Sequence, residues 1–172
     1  MVMDLKPVVR KMLISIIVLA VLAMGATAYL TYLHYEPSAS EFCNFNARFN
    51  CDVVNKSQWS YIPIGSVEIP VAILGFLYYL GVFIGCIGLL KKWSFTAIHK
   101  IFETGRVLWI MRWLTYFGVL FALYLTYIET FVLHTYCIFC LIQQFLILGI
   151  VGLFIAIRIS RKKSGESKGC CC

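Results

Sequence analysis

Charged residues are scarce in this chain: only 13% of its 172 residues are Asp, Glu, Lys or Arg, whereas 61% are hydrophobic. A water-soluble domain carries about 25% charged residues, so this composition excludes that class and predicts a membrane protein. Proline is also rare, at 4 residues, and no Gly/Ser linker or low-complexity tract occurs before the tail. Because nothing marks a boundary between two folded units, we interpret residues 1–172 as a single integral membrane domain.

Acidic residues are fewer than basic ones, 8 against 15, and the formal net charge is +7. A nucleic-acid-binding protein would place Lys and Arg in a stripe with aromatic residues between them. Here the basic residues flank apolar runs instead, which predicts control of membrane topology and no nucleic-acid partner.

Four apolar runs are long enough to cross a bilayer, which takes about 20 residues in a helix. They are residues 12–33, 69–90, 107–133 and 137–157. The sequence therefore predicts an all-α membrane protein, a four-transmembrane-helix bundle. We also expect its extracytoplasmic first loop, residues 34–68, to contain a short helix.

The basic residues predict which side each connection faces. They precede the first run, separate the second from the third and follow the fourth: Lys6, Arg10, Lys11, Lys91, Lys92, Lys100, Arg106, Arg158, Arg161, Lys162 and Lys163. The positive-inside rule then places both termini, the middle loop and the tail, residues 158–172, in the cytoplasm. We expect an integral protein of the cell (inner) membrane. Ala26-Thr27-Ala28 also resembles a signal-peptide cleavage site, but the run continues to Leu33, which favours a retained helix.

Cysteine is abundant, with 8 residues. The connections poor in basic residues, 34–68 and 134–136, are predicted to face outward. Cys43, Cys51, Cys137 and Cys140 fall on this outer side or at its membrane boundary, where disulfides form. We interpret Cys86, inside the second run, as a small core hydrophobe. The tail ending in Cys170-Cys171-Cys172 either carries attached lipid or is an inert reduced end, and both interpretations stay open.

Cys137 and Cys140 are three residues apart at the start of the fourth run. In a helix they share one face, and the partial positive charge of the helix N-terminus favours thiolate over thiol. Cys137 lies nearer water and Cys140 nearly a turn deeper. This spacing predicts an easily cycled dithiol, in which one sulfur exchanges with protein thiols and the other meets an apolar acceptor.

Cys43 and Cys51 lie in a polar and aromatic stretch that can act as a movable arm, so the two pairs predict a thiol-disulfide relay. Two structural interpretations stay open beside it. The loop pair can be a static disulfide, or the four cysteines can bind zinc; an oxidising compartment and the wide spacing of the first pair disfavour zinc, and we predict no metal.

The residues resemble those of the vitamin K epoxide reductase family, from about Met12 to Ile157. Residues 51–59, Cys-Asp-Val-Val-Asn-Lys-Ser-Gln-Trp, match the family's Cys-x-x-Val-x-x-Ser-x-Trp/Tyr pattern. Residues 69–75, Ile-Pro-Val-Ala-Ile-Leu-Gly, are similar to the start of the second helix in microbial members, and Cys137-Ile138-Phe139-Cys140 supplies the Cys-x-x-Cys at the last helix.

The resemblance implies a role for each cysteine. Cys43 would exchange with a thiol partner, Cys51 with Cys137, and Cys140 would react with the quinone. Ser57 and Trp59 would belong to the segment that closes the quinone pocket, although Trp59 can equally be an interfacial anchor.

Gln144 stands where animal members carry Tyr, the quinone-contacting Asn of those members has no clear counterpart before Ile69, and Val67-Glu68 replaces a common Phe-Gly. The first two departures predict a respiratory quinone of the menaquinone or ubiquinone type, and the third concerns the roof of the pocket. Gln144 would then bind a quinone carbonyl, or else a neighbouring helix. Glu129 and His134 are candidate proton sources for the quinone, or ordinary interfacial residues.

The expected partner is a separate thioredoxin-fold thiol protein (DsbA-like), since the chain carries no such domain. The predicted function is a quinone-dependent thiol-disulfide oxidoreductase that supports disulfide formation in exported proteins. The alternatives are a vitamin K quinone/epoxide reductase proper and a non-catalytic four-span protein with structural disulfides.

Overall fold

The computed structural model of the protein describes residues 7–36, 43–46, 48–64, 67–91 and 104–163. Its elements, in chain order, are α1 (Pro7–Tyr35), β1 (Asn44–Asn46), β2 (Phe49–Asn50), α2 (Cys51–Asn55), β3 (Tyr61–Ile64), β4 (Val67–Pro70), α3 (Val71–Leu90), α4 (Thr104–Ile128), a π-helical segment (Glu129–Leu133) and α5 (Ile138–Lys163). Within these described ranges, four helices are long and apolar enough to span a membrane, and α4 does so together with the π-helical segment. The predicted fold class, an all-α four-helix membrane protein, is confirmed. The tail cysteines Cys170, Cys171 and Cys172, and the basic residues Lys6, Lys92 and Lys100, lie outside the described residues.

The helices extend beyond the apolar runs at some ends and stop short of them at others. α1 begins at Pro7, where a proline suits the first helical turn, which does not need its N–H. α3 begins two residues after the start of the apolar run, because Pro70 is extended, with φ −60° and ψ 136°. The Val71 N–H then donates to the Ser60 carbonyl at 2.8 Å, so Ile69 and Pro70 belong to a β hairpin instead of the helix.

The main core lies in the half of the bundle away from the first loop. α1 packs against α3 and α5, and small residues of α1, Ala20 and Ala23, are fully buried there. Small side chains let helix backbones approach closely in a membrane protein. α3 approaches α1 closely at Gly75, where an added Cβ would lie 3.1 Å from the Thr27 methyl group. We call this region the helical core; it contains Val9, Leu13, Ile16, Ala20, Ala23, Tyr79, Val82, Cys86, Leu89, Val107, Leu108, Ile150, Phe154 and Ile157.

A second buried cluster lies where the first loop covers the helices. It consists of Leu30, Cys43, Cys51, Val54 and Cys137, and we call it the cysteine end. The loop contains the expected short helix, α2, and also two antiparallel hairpins, β1–β2 and β3–β4, that the sequence did not predict. In the second hairpin Tyr61 pairs with Pro70 and Ile64 with Val67.

Candidate functional site

The first cysteine pair closes the β1–β2 hairpin. Asn44 pairs with Asn50, which brings the flanking Cys43 and Cys51 to a Cα–Cα distance of 5.5 Å, and the two cysteines form a disulfide. The Asn46 side chain accepts hydrogen bonds from the Arg48 and Phe49 N–H groups at 2.9 and 3.0 Å and so stabilises the turn. Both cysteine side chains are 0% exposed, so the residue expected to meet a partner, Cys43, is buried in this state.

Two side chains fix Cys51 at the first position of α2. The Asn50 side chain is the N-cap and accepts a hydrogen bond from the Val53 N–H at 3.1 Å. The Asn44 amide donates to the Asp52 carboxylate at 2.5 Å, which connects the hairpin to the first turn of the helix.

The hairpin is bound to the turn that precedes α5. The Asn50 N–H donates to the Tyr136 carbonyl at 3.1 Å, and the Tyr136 N–H donates to the Arg48 carbonyl at 2.8 Å. The residue after Tyr136 is Cys137, whose Sγ lies 3.1 Å from the Sγ of Cys51. Backbone hydrogen bonds therefore place a free thiol against a disulfide sulfur from a distant part of the chain.

Cys137 and Cys140 occupy the start of α5. Cys137 precedes the helix and its carbonyl accepts from the Leu141 N–H at 3.1 Å, while Cys140 lies in the first turn. A hydrogen bond from the Cys140 thiol lowers the pKa of Cys137, and the backbone N–H groups of Cys140 and Phe139 act in the same direction against burial and the Glu129 carboxylate. This direction is the one expected for a thiolate at a helix N-terminus.

The turn between α4 and α5 is tight and left-handed. His134 has φ 51°, which closes the π-helical segment, and its N–H donates to the Glu129 carbonyl. The Thr135 N–H donates to the same carbonyl at 3.1 Å. π-Helical turns inside α-helices occur frequently at functional sites. Here the turn leaves Glu129 buried, at 2% exposure, while His134 is exposed.

A cavity of about 360 Å³ lies beneath the cysteine end, between the helices and the segment after α2. Cys140 lines it, and so do the three residues predicted to contact a quinone, Ser57, Trp59 and Gln144. Ser57 Oγ donates to the Val54 carbonyl at 2.8 Å, and Gln144 Oε1 accepts from Thr126 Oγ1 at 3.3 Å. The structure thus brings these residues to one space, and their contact with a quinone stays a prediction.

Other polar residues of this region were not among the predicted site residues. The Asn55 amide donates to the Leu30 carbonyl at 2.7 Å, and His34 Nδ1 lies 2.7 Å from the Asn55 carbonyl, so α2 is bound to the end of α1. Gln143 Nε2 donates to the Ala23 carbonyl at 2.9 Å. For Gln143, a polar residue within an apolar run is the sequence signal that points to the position.

The cysteine end could hold a metal ion only in a different redox state. The sulfurs of Cys43, Cys51 and Cys137 lie within 4.8 Å of one another. Cys43 and Cys51 are joined to each other, however, and a metal is bound by thiolates. Among these three sulfurs only Cys137 is available as a thiolate, so the arrangement fits disulfide exchange better than metal binding.

One comparison with known proteins bears on this site. A family model described as "Vitamin K epoxide reductase family" matches residues 14–163, which is most of the chain. The matched region contains both cysteine pairs, the cavity and all four membrane-spanning helices except the first residues of α1.

Proposed function

The chain belongs to the vitamin K epoxide reductase family, and on that premise we propose that it relays electrons from a thiol protein through Cys43/Cys51 and Cys137/Cys140 to a quinone. Family membership makes it a membrane thiol oxidoreductase, and the neighbouring cysteines support a redox role. The relay, the acceptor and the partner are the proposed part.

The observation that carries the proposal is the 3.1 Å contact between Cys51 and Cys137. Thiol-disulfide exchange requires an attacking thiolate to reach a disulfide sulfur and passes through a mixed disulfide. In the forward direction Cys51 attacks Cys137 of an oxidised Cys137–Cys140 pair and expels Cys140. Cys43 then attacks Cys51 and releases Cys137, which leaves the first pair oxidised and the second reduced, the arrangement described above.

The reduced second pair would next pass two electrons to the quinone. Cys140 lines the cavity and its side chain is partly exposed there, so it is the sulfur that a quinone ring can reach. We propose that Ser57, Trp59 and Gln144 contact the same ring. Phe117 and Phe121 also line the cavity and are exposed on the outside of α4, which gives an acceptor dissolved in the bilayer an apolar route inward.

The proposed partner is a thioredoxin-fold thiol protein, DsbA-like, that oxidises exported proteins. Because Cys43 is fully buried, exchange with this partner requires the β1–β2 hairpin to move away from the turn before α5. The basic residues described above support an inner-membrane protein with both termini cytoplasmic and the cysteines on the opposite side. The family members' other acceptor class, vitamin K epoxide, is the alternative substrate.

A reconstituted assay tests the relay. The purified chain in lipid nanodiscs is mixed with a reduced thioredoxin-fold protein and either ubiquinone-1, menadione or vitamin K epoxide, and thiol oxidation and quinone absorbance are followed together. We expect one disulfide formed for each quinone reduced, with the quinones preferred over the epoxide.

Trapping adds an independent measurement. In Cys43→Ala the Cys51–Cys137 disulfide cannot be resolved by Cys43, so it should accumulate after acid quenching, and Cys86→Ala is the matched control that should trap nothing. A fixed Cys43–Cys51 disulfide with no quinone-dependent turnover in the wild-type chain would contradict the relay and favour a structural disulfide.

A further inference from the structure

Glu129 is a buried acid that the relay, as described so far, does not use. Its side chain is 2% exposed and lines the cavity next to Cys140. Within the described residues its Oε2 atom has no hydrogen-bond partner. A buried carboxyl oxygen without a hydrogen bond is costly inside a membrane bundle, so an acidic residue with such an oxygen indicates function.

The remaining contacts of Glu129 are with the second cysteine pair. Its carboxyl group hydrogen bonds with the Cys140 thiol and the Cys137 backbone N–H. The π-helical turn and the left-handed His134 fix its backbone, since the carbonyl of Glu129 accepts from two N–H groups of the turn. One oxygen is thus directed to the sulfur that reacts, and the other lies beside the cavity with no hydrogen-bond partner in the described part of the chain.

Quinone reduction consumes two protons, and the dithiol described above supplies only one of them. Cys137 is favoured as a thiolate by its hydrogen bonds, so Cys140 carries the single thiol proton of the pair. A second acid must therefore reach the ring. Among the described residues that line the cavity, Glu129 is the one carboxyl group.

We propose that Glu129 is the catalytic acid that gives the second proton to the quinone; this inference rests on the proposed function. The reactants are the Cys137 thiolate, the Cys140 thiol, protonated Glu129 and the quinone. The Cys140 sulfur bonds to the ring as it loses its proton, and the Cys137 thiolate then attacks the Cys140 sulfur to form the S–S bond. The bond between Cys140 and the ring breaks, its electron pair stays with the ring, and the two quinone oxygens take the protons from Cys140 and Glu129. The products are the Cys137–Cys140 disulfide, the Glu129 carboxylate and the quinol. The reactants and the products each carry one negative charge, and the two protons that leave Cys140 and Glu129 are the two that the quinol gains.

The structure also distinguishes Glu129 from the neighbouring candidate His134. The His134 side chain is exposed and its residue is absent from the cavity lining, whereas Glu129 is enclosed. His134 therefore serves the turn, and its left-handed backbone is a structural requirement of the α4–α5 connection.

The test is a single turnover of the pre-reduced chain with ubiquinone-1 in nanodiscs, followed by stopped-flow quinone absorbance in H₂O and D₂O. Glu129→Gln keeps the shape and loses the transferable proton, so we expect the quinone step to slow by about 100-fold. Glu129→Asp should recover at least about tenfold of that loss, and the solvent isotope effect should be larger in the wild type than in Glu129→Gln.

Two controls separate proton transfer from folding. Glu68→Gln makes the same chemical change at an exposed position and should react at the wild-type rate. The Cys51–Cys137 exchange, measured by trapping, should slow at least about tenfold less than quinone reduction in Glu129→Gln, because that step needs no proton at the ring and Gln keeps a hydrogen-bond acceptor beside Cys140.

Three outcomes would overturn the assignment. They are a wild-type rate in Glu129→Gln, an Asp variant as slow as the Gln variant, and an equal loss of cysteine exchange and quinone reduction. Failure of the relay itself would look different, because the wild-type chain would then not reduce the quinone at all.

Discussion

Cys86 in the helical core and Cys137 at the cysteine end are both free thiols with 0% exposed side chains, yet their surroundings differ. Cys86 is enclosed among the apolar side chains of the helical core. Cys137 touches a disulfide sulfur, receives a hydrogen bond from Cys140 and lies at a helix N-terminus. A cysteine that is only buried behaves as a small hydrophobic residue. A buried cysteine that also contacts a disulfide sulfur and accepts hydrogen bonds is reactive.

Among these cysteines, removing the sulfur at the cavity should have the largest effect on function. Cys140→Ala deletes the group that faces the quinone, so we expect quinone reduction to fall by at least about 1,000-fold in the nanodisc assay. Exchange between a small dithiol and the Cys43–Cys51 disulfide should persist. Retention of more than a tenth of quinone turnover would move the electron exit to another sulfur.

Cys43→Ala should lower turnover with a protein reductant much more than turnover with a small dithiol. With the first pair interrupted, turnover with a thioredoxin-fold protein should fall by about 100-fold or more, whereas dithiothreitol should still reduce Cys137–Cys140 directly. Parallel assays with both reductants measure this difference in turnover. Equal losses in the two assays would count against Cys43 as the contact for the protein partner.

The pH dependence of Cys137 gives a smaller and more specific effect. Its lowered pKa means that the thiolate persists below the ordinary thiol pKa, about 8.5, and is lost only as the pH falls through the lower value. Thiolate absorbance at 240 nm, taken as the difference from Cys137→Ser, reports this titration. In Cys140→Ala the midpoint should move upward, because the largest cause of the shift has been removed; an unmoved midpoint would assign the shift to the backbone N–H groups.

Cys86→Ala should have the smallest effect on function. Loss of one buried sulfur from the helical core should lower stability by about 1 kcal/mol and leave turnover within about twofold of wild type. Thermal unfolding in nanodiscs and the quinone assay measure the two effects separately. A large drop in turnover would place Cys86 in the electron path.

The main features of the membrane architecture were predictable, since four apolar runs of sufficient length produce four helices whatever the details of packing. The grouping of the four cysteines was predicted as well, and the structure places Cys51 against Cys137. The β1–β2 hairpin was not, because the Tyr136 backbone that binds it is distant in sequence, and strands of three and two residues are too short to carry a periodic signal. The start of α3 was placed two residues early for the same reason: the backbone hydrogen bonds of Ile69–Pro70 go to another strand.

Composition and spacing by themselves determined that this is a membrane protein with an i, i+3 cysteine pair at a helix start, because hydrophobicity and helical period are local properties. The tertiary structure decided which sulfur touches which, how Cys43 becomes buried, and that Glu129 turns inward while His134 turns outward. Those outcomes depend on hydrogen bonds and packing between segments that meet only after folding, such as Arg48 with Tyr136, and on a π-helical turn that re-aims one side chain.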